Sequence, residues 1–164
     1  MKIGLISDSH DNIPMIDLSI KKLNELGVEL VLHAGDFIAS FAVARYKALN
    51  MNLIGVYGNN DGDKALIKQK FKEVGKEMRG YFAEIKIDGS KISLLHGHDG
   101  ELLNSLINSR AYEFIVHGHT HQIRIEKFDK TLVINPGEVC GYLSGKSTIG
   151  VLDTASKEVK IIEL

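Results

Sequence analysis

Short apolar runs and amphipathic stretches take turns along the first half of the chain. KIGLI (2–6) is an apolar run closed by polar residues and predicts a strand. In DNIPMIDLSIKKLNELG (11–27), Ile16, Ile20, Leu23 and Leu26 fall at helical spacing. Asn12 takes the N-cap position there, Pro14 suits the first turn and Gly27 stops the helix. VELVLHAGD (28–36) predicts a second strand and SFAVARYKAL (40–49) a second helix. NLIGVYGN (52–59) predicts a third strand and KALIKQKFKEVG (64–75) a third helix. Near-continuous apolar strands joined through helices predict a parallel sheet with helices packed on it.

The second half changes period. YFAEIKIDGSKISLLHG (81–97) reads as a hairpin, with Asp88-Gly89 as its turn. ELLNSLINSR (101–110) is a short helix and YEFIVHG (112–118) a strand. IRIEKFDKTLVINPG (123–137) and IGVLDTASKEVKIIEL (149–164) read as two further hairpins. The fold class is therefore α/β: a mixed sheet split into two packed layers, a two-layer β-sandwich flanked by helices. No linker, repeat or low-complexity stretch interrupts the pattern, so one domain over 1–164 is expected.

Polar residues gather where the apolar runs end. SDSH (7–10), GD (35–36), GNND (58–61), HGH (96–98) and HGHTH (117–121) each follow a strand. Ligands of open α/β sheets bind beyond the carboxyl ends of strands, so these segments are expected to meet at one edge. The chain has seven histidines, and three of them, His117, His119 and His121, fall within HGHTH. The expected cluster is Asp8, His10, Asp36, Asn59, His96, His119 and His121. Crowding carboxylates and imidazoles without cations is unfavourable, and metal ions supply the compensating charge. An oxygen and nitrogen donor set without thiolate suits Mn, Fe, Ni, Co or Zn better than Mg or Ca. So many ligands are too many for one tetrahedral ion and suit two ions sharing a carboxylate. Such a pair can activate a bridging hydroxide and clamp a phosphoryl group for in-line displacement.

Composition narrows the partners. Net charge is −1 at pH 7, so no tight hold on duplex DNA is expected. Apolar residues make up 44% and charged residues 25%, as in ordinary soluble proteins. Cys140 is the only cysteine, which rules out an intrachain disulfide. No apolar run approaches the roughly 18 residues of a membrane span. Removal of roughly the first 15–30 residues as a leader would delete Asp8 and His10. A cytoplasmic protein without membrane contact is expected. The hairpin edges near 123–135 could pair with another chain, giving a homo-oligomer.

DSH, GD, GNND, HGH and HGHTH resemble, in order, the motif blocks of the calcineurin-like metallophosphoesterases. They run from residue 8 to residue 121, and the compact chain resembles the small bacterial and archaeal phosphodiesterases of that family. The resemblance implies a two-sheet sandwich with helices outside. It implies that Asp8, His10 and His121 bind a first divalent ion, that Asp36 bridges, and that Asn59, His96 and His119 complete a second. Manganese is the leading candidate, with Ni, Co, Fe or Zn fitting the same donors. A small phosphodiester substrate and a bridging hydroxide as nucleophile follow.

One position departs from the pattern. Many family members carry histidine after GN, where it is proposed to protonate the leaving oxygen, whereas this chain has Asn60. Asparagine can donate a hydrogen bond but is no general acid at neutral pH. The catalytic set expected here is Asn59 and Asn60 on phosphoryl oxygens, with His98 or water as proton donor. This expectation favours acidic leaving groups such as aryl esters. A phosphomonoesterase or nuclease is the second enzymatic reading. A metal-binding scaffold acting through protein contacts is the alternative class, as in the retromer subunit that shares the fold. The complete ligand set favours catalysis. His33 and His117 are expected to pack or to orient ligands, and Asp11, Asn12 and Asp63 to cap helices. Phe71, Tyr81 and Phe82 are expected in packing, and Cys140 as an ordinary thiol near the site.

Overall fold

A computed structural model describes residues 1–164, and two sheets dominate it. The first sheet is built around β1 (Lys2–Ile6), β2 (Leu30–His33), β3 (Asn52–Gly55) and β4 (Glu77–Met78), all parallel. β10 (Thr148–Asp153) and β11 (Glu158–Glu163) extend it as an antiparallel hairpin, giving the order β11-β10-β1-β2-β3-β4. The second sheet is ordered β5-β6-β7-β9-β8, from β5 (Phe82–Ile87), β6 (Ser90–Leu95), β7 (Phe114–Val116), β8 (Ile123–Phe128) and β9 (Thr131–Pro136). Its β5–β6 hairpin turns at Asp88-Gly89, both at positive φ, as the sequence predicts.

Three apolar layers hold the stack together. Ile3, Leu5, Leu32 and Ile54 of the first sheet meet Ile92, Leu94, Phe114 and Ile134 of the second, and all are buried. α1 (Ile13–Leu26) and α3 (Lys64–Glu73) cover the outer face of the first sheet, where Ile16, Ile20, Leu23, Ile67 and Phe71 pack against Val31 and Leu53. α4 (Gly100–Ser109) covers the second sheet through Leu103 and Ile107 on Ile115 and Val133. No helix is long and apolar enough to cross a membrane. β8 is an open edge, and its Ile123 and Ile125 are about half exposed.

The structure differs from the pattern at a few places. The second helix is only one α turn, α2 (Ser40–Val43), followed by a 3₁₀ segment (Ala44–Ala48). Val43, Tyr46 and Leu49 are all buried and stand three apart, the repeat of a 3₁₀ helix rather than an α-helix. β4 is two residues long, too short to show a period. Asn12 sits at the N-cap of α1 but does not cap it; its amide donates to the Cys140 carbonyl at 2.8 Å. Asp11 accepts from Ala39 N instead of capping a helix. Asp63 does cap α3, accepting from Leu66 N at 2.9 Å. Phe71 lies in the core, whereas Tyr81 is exposed and stands edge-on to Tyr57.

Candidate metal centre

Backbone hydrogen bonds lace the strand-end loops together before any side chain is considered. Ser9 N and His10 N both donate to the Asp36 carbonyl, and Asp8 N donates to Gly35 O. Gly118 N donates to His96 O, and Cys140 N to Asp8 O. Two glycines are required by close approach. A Cβ on Gly58 would lie 2.0 Å from Asp36 Oδ1, and one on Gly118 would lie 1.7 Å from Ser7 Oγ and 2.6 Å from Asp8 Oδ2.

Side chains converge on this laced edge. Asp8 is fully buried. Its Oδ2 accepts from Ser7 Oγ and from His119 N, while Oδ1 has no hydrogen-bond partner. His121 Nε2 stands 3.5 Å and His10 Nε2 3.8 Å from that oxygen. Asp36 Oδ2 lies 3.4 Å from His10 Nε2 and 3.4 Å from His96 Nε2, so this carboxylate stands between two imidazoles. The Nε2 atoms of His10 and His96 are also buried without a hydrogen bond. Two donors bound to one ion at about 2.1 Å stand about 3–3.5 Å apart at ordinary coordination angles. The gaps of 3.4 and 3.5 Å around Asp36 Oδ2 and Asp8 Oδ1 thus have the spacing of donors around a cation, not of hydrogen-bonded pairs. Oxygen and imidazole donors fit a divalent transition metal.

The far side of two imidazoles fixes their tautomers. His96 Nδ1 donates to the Ala34 carbonyl at 2.7 Å, leaving Nε2 as the free acceptor. His121 Nδ1 donates to Glu138 Oε2 at 2.7 Å, with the same result. The His119 ring lies 5.2 Å from that of His96, and the exposed His98 ring 5.7 Å from it. Asn59 is exposed, on the turn between Gly58 and Asn60. Asn60 reaches Asp36 twice: its backbone N donates to Oδ1 at 2.9 Å and its amide to Oδ2 at 2.7 Å. The structure therefore brings Asp8, His10, Asp36, His96 and His121 into direct proximity, sets His119 beside His96, and leaves Asn59 and His98 on the rim.

Charge follows the geometry. Burial opposes it, yet the facing imidazoles of His10 and His96 and the N–H of Asn60 hold the Asp36 carboxyl well below the usual carboxylate range. Burial pulls His10 down, but the carboxylates of Asp36 and Asp8 win and raise it to about 9. His33 is buried and stacked on Phe37 at 3.8 Å, and burial pushes it far down. It accepts from Gly35 N and bridges to Ser9 Oγ, so it stays neutral and braces the first loop. His117 bonds the Gly118 carbonyl, and burial lowers it to about 4.

Two carboxylates had no role in the sequence reading. Asp61 is buried and accepts from the backbone N–H groups of Asp36, Phe37, Ile38 and Gly58. Glu138 is fully buried behind His121. A lone acid in the apolar stretch LVINPGEV was the available signal for Glu138. Asp61 gave none beyond its place in GNND. Cys140, read as an ordinary thiol, is buried; burial and the neighbouring Glu138 push it up to about 12. Two hollows, of about 480 and 560 Å³, lie away from this edge. Their linings hold none of the clustered donors, so the candidate chemistry stays with the strand-end edge.

A sandwich that gathers oxygen and imidazole donors where its two sheets meet has the frame of a divalent-metal site. The chain belongs to the calcineurin-like phosphoesterase superfamily, whose domain model matches residues 1–157. Over its full length it is 44% identical to the phosphodiesterase MJ0936 of Methanocaldococcus jannaschii, covering 99% of that protein. Among solved structures, a novel archaeal phosphodiesterase matches with a TM-score of 0.96 at 43% identity, each chain covered completely. The Escherichia coli phosphoesterase YfcE shares the fold, with a TM-score of 0.74 at 19% identity over 99% of this chain and 98% of that one. Vps29 of Chaetomium thermophilum shares it too, at 0.71 and 13% over 100% and 97%. Membership of this family implies phosphate-ester hydrolysis and divalent metal ions.

Proposed function

We propose that this protein is a phosphodiesterase with a dinuclear metal centre. Asp8, His10 and His121 hold one ion, Asp36 bridges, and Asn59, His96 and His119 complete the second. The observation that carries this reading is Asp8 Oδ1, a buried carboxylate oxygen without a hydrogen bond, faced by two imidazole nitrogens at 3.5 and 3.8 Å. Leaving such an oxygen bare costs about 1–3 kcal/mol or more, which a cation offsets. Two divalent ions held there, manganese first among them, would supply an activated hydroxide and positive charge on the phosphoryl oxygens.

The chain's own groups do the rest. Asn60 spends one amide N–H on Asp36 Oδ2 and has a second free for a phosphoryl oxygen. His98, exposed on the rim beside His96, or water would protonate the leaving oxygen. The close archaeal phosphodiesterase supports diesters as the substrate class. With no histidine at position 60, esters with acidic leaving groups are expected to react fastest.

The test is hydrolysis of bis(p-nitrophenyl) phosphate and p-nitrophenyl phosphate by metal-stripped protein. Mn²⁺, Ni²⁺, Co²⁺, Zn²⁺ and Mg²⁺ are restored singly, with Asn59→Ala and His121→Ala as controls. Metal-restored diester cleavage, lost in both variants, is expected. Two ions bound per chain without activity toward either ester would instead favour a scaffold working through protein contacts.

A further inference from the structure

Glu138 is fully buried, and its only ion-pair partner is His121. Its Oε2 accepts from His121 Nδ1 at 2.7 Å, from Cys140 Sγ at 2.8 Å and from Tyr142 N at 3.1 Å. Its Oε1 accepts from Leu143 N at 3.0 Å and Ser144 N. These are hydrogen-bond lengths, too short for donors spread around a shared ion, so His121, Glu138 and Cys140 do not form a third metal site. The turn at 142–144 donates to both oxygens, and His121 shares Oε2 with it.

The anion matters to His121. Two imidazoles of the cluster are backed from behind, but unequally: His96 by the neutral Ala34 carbonyl, His121 by a carboxylate. A carboxylate behind an imidazole fixes its tautomer and raises its basicity as a ligand. We infer that Glu138 is a positioning residue that makes the Asp8–His10–His121 position the tighter of the two metal sites. The inference rests on the dinuclear reading above. It predicts an order of filling: the first ion goes to the carboxylate-backed side and the second to the Asp36–His96–His119 side.

Glu138→Gln keeps the shape, removes the charge and leaves one acceptor oxygen in place of two. Calorimetric titration of metal-stripped wild-type protein with Mn²⁺ is expected to resolve two steps. Glu138→Gln should weaken the tighter step by about 10–100-fold and leave the weaker one unchanged. In a His121→Ala background, the same substitution should change nothing further. Equal weakening of both steps, or an undiminished effect in the His121→Ala background, would mean that Glu138 only supports the turn. Unchanged affinities in Glu138→Gln would also overturn the inference while leaving the dinuclear reading intact. No uptake of metal by wild-type protein would overturn both. Long-range proton–nitrogen NMR of wild-type protein gives a second check that does not depend on the variant's folding. His121 should carry its proton on Nδ1, and a proton on Nε2 would refute the assignment.

Discussion

Asp8, His10, Asp36, His119 and His121 all sit at positive φ, between 41° and 70°. Side chains other than glycine resist this region, at about 1–3 kcal/mol each. Strain concentrated on expected ligands means that the surrounding contacts dictate their direction, and Gly118 is one of those contacts. Gly118→Ala should drive a methyl into Ser7 and Asp8, lowering the melting temperature and abolishing metal uptake; wild-type uptake would show that the loop relaxes freely. Glu138 adds a pH dependence. Burial opposes its ionisation, but hydrogen bonds from Cys140, His121 and Ser144 win and hold it at about 2, below the 4.5 of an unfolded glutamate. A lowered carboxylate stabilises the fold fully above the unfolded value and loses that contribution as pH falls toward the folded one. Metal-stripped protein should therefore lose up to about 3 kcal/mol between pH 4.5 and 2 through this group. Denaturant unfolding at stepped pH checks it, since Glu138→Gln should lack this part of the acid loss. The clustered aspartates and histidines were legible in sequence because five polar segments carrying them recur, one after another, at the ends of apolar strands. Asp61 and Glu138 were not, because their roles consist of contacts with distant backbone and side chains.

Element by element, the pattern predicts strands and hairpins well, because burial on one or both faces imposes the period directly. It misses where a short segment is shaped by its neighbours. The 3₁₀ segment follows from Tyr46, which packs edge-on against His33 and Phe37 beneath the site. The loops after β2 and β3 show the same dependence, since the Asp61 carboxylate ties them through four backbone N–H groups. Asp61→Ala would strand all four donors in the interior and should cost at least about 3 kcal/mol. Asp63→Ala, two residues away, removes only the cap of α3 and should cost about 1 kcal/mol. Chemical denaturation of the two variants separates a loop clamp from a helix cap, and equal losses would deny Asp61 its role.

Across the whole molecule, the expected ligands divide between the two sheets. Asp8, His10, Asp36 and Asn59 follow strands of the first sheet, whereas His96, His119 and His121 follow strands of the second. The sheets already share an apolar interface, so the sandwich does not depend on metal to assemble. Ions held at its edge would nonetheless cross-link the layers and bind only the folded form. Mass action then requires stabilisation of about 2.7 kcal/mol when free ion exceeds its dissociation constant about 100-fold. Adding Mn²⁺ to stripped protein should raise the melting temperature, and chelator should reverse the rise. The increment should shrink both in Asp8→Asn, which alters the first sheet's share, and in His96→Ala, which alters the second's, and by more in Asp8→Asn. If only one of these variants lost it, the ions would be held by a single sheet, and the edge between the layers would not be the centre of the site.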